Sequence, residues 1–422
     1  METIFALSSG RPPAAIALVR VSGPHAAATL QALAGRLPPP RRASLATLRD
    51  PAGDVLDRAM LLWFPGPATA TGEDLCELHL HGGRAVVDAV LAALAGLPGL
   101  RPAEAGEFTR RAFANGRIDL AEAEGLADLL TAETEAQRRQ ALLRAEGYLS
   151  RRIEAWQRRL LAAAAHVEAR LDFADEGDVG GAGEAVRDQL DALAADIGIA
   201  LASPPAERLR DGIRVVIAGP PNAGKSTLLN RLIGREAAIV SPIAGTTRDV
   251  VEAPVAIGGL PFLLSDTAGL RASDDAIEQI GIARAERALA GADILLWLGE
   301  EPPPPGPAHV IRVAAKADLE GRRGFGLPVS ALHGTGIDAL AAVLQQAARR
   351  LLPGGDQLSY DRRQRALLAE TRHAILAAGV ASDELVQAEE LRRARLALDR
   401  ITGAGGVEDM LDALFGRFCI GK

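Results

Sequence analysis

Of the 47 basic residues only Lys225, Lys316 and Lys422 are lysines, and Lys225 stands inside Gly219-Pro-Pro-Asn-Ala-Gly224-Lys225-Ser226. Where a generic positive charge suffices the chain uses Arg, so a retained Lys suggests a need for a compact ammonium. The octet fits G-x-x-x-x-G-K-[ST], follows the apolar run Ile213 to Ala218 and precedes the helical pattern Thr227 to Ile233. That setting is what a phosphate-binding loop requires. Its glycines let backbone N–H groups turn toward phosphate oxygens at a helix N-terminus, Lys225 reaches the outer phosphates and the Ser226 hydroxyl suits Mg²⁺. Asn222, Ala223 and Thr227 complete the loop's contacts with the nucleotide.

Three further segments fall in the order such a site needs. Gly245-Thr246-Thr247-Arg248-Asp249 supplies Thr247 as a Mg²⁺ ligand sensing the γ-phosphate, although threonines taken singly are more often turn or capping residues. Asp266-Thr267-Ala268-Gly269 ends a strand, which places a carboxylate near Mg²⁺ and the Gly269 N–H near the γ-phosphate. Ala315-Lys316-Ala317-Asp318 follows another strand and carries the second lysine. Asp318 is suited to accept from guanine N1 and N2, the Lys316 stem to cross the phosphate loop, and Ser330, Ala331 and Leu332 to offer backbone contacts to O6. The usual first residue of this base-reading motif is Asn, and Ala315 weakens guanine recognition at one contact.

These residues need rigid elements behind them. At 422 residues the chain has length for two to four domains. Its 48% apolar and 24% charged residues fit a globular protein and exclude wholesale disorder. Apolar runs such as Leu160 to Ala165 are far shorter than the roughly 18 residues of a membrane span, so no membrane role is expected. Only Cys76 and Cys419 occur, and Met1 to Gly10 has no signal-peptide pattern, which points to a reducing cytoplasm.

Short apolar runs such as Ala15 to Val21 and Ala59 to Phe64 between glycines and prolines predict an α+β domain over 1–117. Three- and four-residue apolar spacing predicts long helices over 118–211 and again after Pro353. Between them, the strand candidates Ile213 to Ala218, Pro261 to Ser265, Ala292 to Leu298 and Val310 to Ala314 alternate with helices and predict a mostly parallel sheet. The simplest architecture inserts an α/β domain, 212–352, into a helical one formed by 118–211 and 353–422. Arg plus Lys against Asp plus Glu is 12 to 10 over 1–117, 12 to 14 over 212–347 and 23 to 30 elsewhere, so the net charge of −7 lies mainly on the helices. A generic polyanion-coating protein is thereby disfavoured, a local basic patch is not. The run Pro302 to Pro305 reads as a surface loop, with a proline-motif ligand as the alternative.

These motifs in this order, with a chain ending Phe418-Cys419-Ile420-Gly421-Lys422, closely resemble the tRNA modification GTPase family called MnmE or TrmE. Most specific are Asn222-Ala-Gly-Lys-Ser, Ile243-Ala-Gly-Thr-Thr-Arg-Asp, Asp266-Thr-Ala-Gly-Leu-Arg and the terminal Cys-Ile-Gly-Lys. The resemblance implies an α+β folate-binding and dimerisation domain, a discontinuous α-helical domain and an inserted Ras-like P-loop α/β GTPase domain. It implies hydrolysis of GTP to GDP and phosphate, a homodimer, and work with the flavoprotein MnmG (GidA), in a heterotetramer or larger complex, on the wobble uridine of certain tRNAs. There the family installs a carboxymethylaminomethyl group at C5, using a 5-formyl- or 5,10-methylene-tetrahydrofolate.

The resemblance also implies site residues. Folate contacts map onto Arg20, Glu77, Arg117, which stands where relatives often carry Lys, and Lys422. A K⁺ ion in place of an arginine finger would be held by Asn222, Ser241, Ile243 and Thr246, with Pro242, Ala244 and Gly245 in the same nucleotide-binding switch; relatives more usually have Thr-Asp at Ser241-Pro242. Leu270 cannot orient the attacking water, and the resemblance gives that task to Glu278, beside Lys225 and Gly269 as catalytic groups. By type alone Glu278 also suits a helix-start carboxylate. Cys419 fits a structural or positioning role or a nucleophile activated by Lys422. His79 and His81 share a strand face and fit packing or substrate contact more readily than a metal pair. Two other classes share features of the chain: an RNA-binding ribosome-assembly GTPase without modifying activity, which would not need Arg20, Glu77 and Lys422, and a folate-dependent aminomethyltransferase relative with an appended regulator.

Overall fold

The computed structural model describes residues 2–172, 182–235, 252–266, 286–306, 309–319, 325–355, 357–404, 411, 414–416, 418 and 420–421. The chain divides into two compact units, Met1–Ala127 with Asp399–Lys422, and Asp128–Leu398.

In the first unit, β1 (Thr3–Leu7), β2 (Ile16–Ser22), β3 (Ser44–Arg49), β4 (Val55–Phe64), β5 (Leu75–His81) and β6 (Leu100–Pro102) form one sheet ordered β3-β4-β5-β2-β1-β6. Neighbours run antiparallel except β1 and β6. The period-2 alternation of strand side chains sorts the residues by face. Val19, Val21, Leu61, Leu78 and Leu80 face helices Ala26–Ala34 and Arg84–Ala95, whose Leu30, Leu33, Val90 and Leu94 close the core. Truncating such a core leucine to Ala costs about 2–5 kcal/mol. Arg20, Glu77 and His79 alternate out of that core and remain partly exposed. The same alternation that builds the core therefore gathers the charged residues on the other face.

Glu107 opens the helix Glu107–Ala114 and holds this unit's charges together. Its carboxylate accepts from Arg101 Nη2 at 2.6 Å, Arg101 Nη1 at 2.8 Å, Arg111 Nη2 at 3.0 Å and the Glu104 N–H at 2.9 Å. Burial opposes ionisation, but the bonds from Arg101, Glu104 and Arg111 outweigh it and bring the Glu107 pKa down to about 2. A folded pKa below the unfolded value means that acid protonates the unfolded chain first. The contribution to stability is complete above about pH 4.5 and fades as pH falls toward 2. Urea midpoints of Glu107→Gln should lie below those of the unmodified chain at pH 7, with the gap narrowing from pH 4.5 toward 2; a gap that stays constant would remove the carboxylate charge as its source.

In the second unit, β7 (Ile213–Ala218), β8 (Glu252–Ile257), β9 (Leu260–Asp266), β10 (Ile294–Trp297), β11 (His309–Ala315) and β12 (Leu327–Val329) form a sheet ordered β12-β11-β10-β7-β9-β8. It is parallel apart from the hairpin β8–β9, as the alternation of strands and helices predicted. Its apolar core joins Val215, Ile217, Leu264, Ile294 and Leu296 to Leu228, Leu232 and Leu344 from the flanking helices Lys225–Arg235 and Ile337–Leu351. Pro302 to Pro305 lie in a loop beyond β10, as expected.

Helices Glu135–Ala145, Tyr148–Asp172 and Ala182–Ala202 precede this sheet in the chain, and helix Arg362–Val380 follows it and packs along Ala182–Ala202. Arg365 clamps the return by donating to the carbonyls of Ser203 at 2.8 Å and Leu201 at 2.7 Å. Capping boxes start two of these helices, Thr134 with Gln137 and Asp361 with Gln364, each satisfying orphan backbone donors at a helix start. The helical layer is thus discontinuous in sequence and continuous in space. Among the described residues, no helix is long and apolar enough to cross a membrane.

Candidate nucleotide and folate sites

The phosphate loop joins central strand β7 to helix Lys225–Arg235, and its backbone explains its glycines. Gly219 has φ +153°, and an added Cβ would stand 3.0 Å from the Leu298 side chain. Gly224 has φ +97°, and Asn222 accepts a left-handed φ of +60°, a region that Asn enters more easily than most residues. Ala223 is buried in the sheet's core and pins the loop. Lys225 is 9% exposed, with Nζ donating to the carbonyls of Gly219 at 3.1 Å and Pro220 at 2.9 Å. Its ammonium is therefore held over the loop by the backbone it would help to present to phosphates. Thr227 is exposed on the helix's first turn.

Asp266 ends β9 beside β7, in register with Ile217, and is 4% exposed. The Ser226 hydroxyl donates to its Oδ2. Two hard oxygen ligands thus lie together at the mouth of the loop, a donor set that fits Mg²⁺.

On the other side of the loop, β11 ends at Ala315, where Lys316 turns with φ +59°. The Lys316 Cε stands 3.8 Å from where a Gly224 side chain would begin, which puts the end of its stem against the phosphate loop. The Ala317 N–H donates to the Val329 carbonyl at 3.2 Å, tying this segment to the end of β12. Ser330, 1% exposed, bonds the Asp318 carboxylate, and that bond leads the causes holding Asp318 below the usual carboxylate range. His333 Nε2 lies 3.9 Å from Asp318 Oδ2. Ala331 packs on the sheet's core while the Leu332 side chain is 71% exposed. Lys225, Ser226, Asp266, Lys316, Asp318 and Ser330 thus surround one end of the parallel strands, the usual ligand edge of such sheets.

In the first unit, Arg20 and Glu77 are cross-strand partners, with Arg20 Nη2 at 2.8 Å and Nε at 3.2 Å from Glu77 Oε1. The Arg20 guanidinium lies 6.0 Å from the centroid of the Phe108 ring. Glu77 Oε2 is 3.5 Å from His79 Nε2, an atom that is buried and makes no hydrogen bond. A buried ring nitrogen that makes no hydrogen bond is uncommon, and here it adjoins one of the carboxylates the resemblance gives as a folate contact, a donor and acceptor set that fits a hydrogen-bonding heterocycle. Arg117 Nε donates to the Thr69 carbonyl at 3.1 Å. The same loop reaches β2 through Thr71, 2.7 Å from the hydroxyl of Ser22, two residues from Arg20.

The C-terminal residues return to this sheet. Phe415 packs against Phe113 and Phe418, and Ile420 pairs with Ala105 in an antiparallel bridge. Gly421 has φ +97°, and a Cβ there would fall 2.2 Å from the Leu7 carbonyl oxygen. Leu7 adjoins the Ala6–Arg20 pair, so the tail's docking point is a neighbour of the Arg20 site. Gly421→Ala should displace the tail at a strain of about 1–3 kcal/mol. Carboxypeptidase should then trim the variant severalfold faster, and an unchanged trimming rate would contradict the close approach.

Comparison with known proteins adds the family. Residues 120–419 match the family described as MnmE helical domain, and residues 3–117 match that described as GTP-binding protein TrmE N-terminus. A protein of Rhizorhabdus wittichii named tRNA modification GTPase MnmE is 60% identical over 100% of this chain and 97% of its own length. One of the same name from Erythrobacter litoralis is 57% identical over 100% of both. The chain belongs to the MnmE family. Among solved structures, the G domain of the T. maritima FeoB iron transporter is 24% identical, covers 32% of this chain and 98% of its own, and has a TM-score of 0.25.

Several residues expected of an MnmE-family site lie outside the described residues: Ser241, Pro242, Ile243, Ala244, Gly245, Thr246, Thr247, Thr267, Ala268, Gly269, Glu278, Cys419 and Lys422. Two features are additions to the sequence reading. His79 joins Arg20 and Glu77, a placement the i, i+2 spacing from Glu77 already allowed. His81 Nδ1 sits 2.7 Å from Asp57 Oδ1, and Asp57 also accepts from the His81 N–H at 2.8 Å. The two histidines thus take separate carboxylate partners. No group of three or more His, Cys, Asp or Glu suited to a metal occurs among the described residues.

Proposed function

We propose that the chain is a GTP hydrolase, converting GTP and water to GDP and phosphate, that serves tRNA wobble-uridine modification in the cytoplasm. The observation that carries this reading is the Ser226–Asp266 pair at the phosphate loop that also carries Lys225, with Asp318 and Ser330 at the same end of the sheet, in a chain 60% identical along its whole length to a protein named tRNA modification GTPase MnmE. Lys225 neutralises the outer phosphates, and backbone N–H groups of Asn222 to Thr227 wrap the inner ones. Asp318 selects the base by accepting from its N1 and N2 donors. Ser226 and Thr247, with the Asp266 carboxylate bonded to Ser226, would hold Mg²⁺, which would supply charge neutralisation to the phosphates. Glu278 orients the attacking water and the Gly269 N–H steadies the γ-phosphate.

In this proposal the domains are 1–117, 118–211 with 353–422, and 212–352. The first forms a homodimer and, through Arg20, Glu77 and Arg117 together with Lys422 of the second, holds a 5-formyl- or 5,10-methylene-tetrahydrofolate. The flavoprotein MnmG joins in a heterotetramer or larger complex to install the carboxymethylaminomethyl group at C5. Asn222, Ser241, Ile243 and Thr246 would hold K⁺, which would supply the positive charge that an arginine finger otherwise brings. Phosphate release at matched ionic strength should accordingly run at least tenfold faster in KCl than in NaCl. Equal rates would reject the cation cage, and absence of GTP turnover in either salt would reject the hydrolase reading itself.

A further inference from the structure

A cavity of about 770 Å³ opens within the unit Asp128–Leu398, between the end of helix Glu135–Ala145, the start of Tyr148–Asp172, the end of Ala182–Ala202 and the segment leading into Arg362–Val380. That volume lies in the range of small-ligand pockets, and none of the nucleotide or folate residues lines it. Leu143, Pro204 and Leu358 give it apolar walls. Tyr360, 1% exposed, also lines it, and its Oη is buried without a hydrogen-bond partner. A buried phenol normally finds one.

Among the other lining residues Tyr148 is 48% exposed, and the Arg151 guanidinium stacks 4.5 Å from its ring centroid. Arg151 Nη1 also donates to the Glu146 carbonyl at 2.8 Å, which fixes the stack. Arg152 lines the cavity, lies 5.1 Å from the Trp156 ring and pairs with Asp196 at 3.2 Å.

The helix start beside this opening is basic although the chain as a whole is acidic. Residues 148–160 carry Arg151, Arg152, Arg158 and Arg159 against Glu154 alone, in a chain of net charge −7. Asp196 answers Arg152 and Arg159, while Arg151 and Arg158 are exposed and lie about 10 Å apart along the helix. An aromatic ring with a stacked guanidinium, an apolar slot, one buried polar group and a line of arginines beyond the slot are the features that receive an extruded base and its flanking phosphates.

The geometry points to a binding site for one unstacked nucleotide of an RNA strand, its base on the Tyr148–Arg151 stack with an edge at Tyr360 Oη, its neighbouring phosphates along Arg151 and Arg158. The inference rests on the reading of the chain as a GTPase that acts on tRNA, and it names where the RNA is held. A free mononucleotide would use the cavity but have no need of Arg158, two turns further along the helix.

The test is fluorescence anisotropy of a labelled tRNA transcript with the full chain, competed by unlabelled UMP and GMP. Tyr148→Ala should weaken binding about tenfold. Tyr360→Phe should weaken it about threefold with an unchanged or raised thermal midpoint, because its hydroxyl has no partner to lose. Arg151→Ala with Arg158→Ala should flatten the dependence of affinity on salt. Tight tRNA binding by the unmodified chain with unchanged affinity in all three variants would overturn the site and leave the proposed function standing. Competition by a mononucleotide as effective as by unlabelled tRNA would overturn the RNA assignment. Failure of the unmodified chain to bind tRNA would overturn the site together with the tRNA reading beneath it.

Discussion

Lys225→Ala should lower GTP turnover by about 10²- to 10³-fold, the usual loss when one preorganised donor to developing negative charge is removed. Its Nζ already sits over the loop, bonded to the Gly219 and Pro220 carbonyls, so the ammonium needs little reorganisation to meet phosphate oxygens. Lys225→Arg is the sharper variant, because it keeps the charge. A planar guanidinium is wider than an ammonium and cannot enter between the two carbonyls and the helix start without moving them. Arg should therefore recover less than a tenth of the lost rate. Single-turnover phosphate release and GDP affinity measured together separate binding from chemistry. If Lys225→Ala turned over within threefold of the unmodified chain, the ammonium would be only a strut for the loop.

The phosphate loop was legible in the sequence because its chemistry dictates its backbone: two glycines must sit at positive φ, and the Lys and Ser must follow directly at the helix start. Asp266 was legible for a related reason, since a carboxylate after the apolar run Pro261 to Leu264 must emerge at a strand end. The edge hairpin was less so. β8 carries Pro254 inside its short apolar stretch Ala253 to Ile257, which suits an edge strand but weakens the strand signal. β12 is three residues long with Pro328 in its middle, and is set by pairing with β11 rather than by pattern.

Partnerships across strands were illegible for a different reason. Asp57 and His81 meet because β4 and β5 pair, and 24 residues separate them in sequence; no local spacing encodes such a contact. Glu107 likewise draws Arg101 from β6 and Arg111 from its own helix, and only the second, at i+4, could be read from the chain. The docking of Ile420 on Ala105 is more distant still. In this chain local motifs disclose the nucleotide site, while the Arg20–Glu77–His79 cluster and the tail that docks near it are assembled by the fold.

The base site offers the second large effect. Asp318→Asn should cut GTP affinity by about 10³-fold or more and reverse the preference toward XTP, because a site built around hydrogen bonds rejects a base that leaves buried polar groups unpaired. The native carboxylate presents two acceptors to the N1 and N2 donors of guanine, whereas an amide presents one acceptor and one donor, matching a base with a carbonyl where guanine has its amino group. Ser330 secures the native arrangement by bonding Asp318, which holds its carboxyl below the usual carboxylate range.

Ala315 acts in the opposite direction. It ends β11 with no side-chain amide to bond the base at N7 or to bridge to the phosphate loop, so Ala315→Asn should tighten GDP and GTP about two- to tenfold, the worth of one satisfied hydrogen bond. Preference for GTP over ATP should stay with Asp318 in both the native chain and Ala315→Asn. Titration of GDP, GTP, ATP and XTP against the three proteins separates the two roles. If Ala315→Asn leaves GDP affinity unchanged, the N7 contact is already supplied from elsewhere, and Lys316, whose stem lies 3.8 Å from the Gly224 position, becomes the residue to vary next.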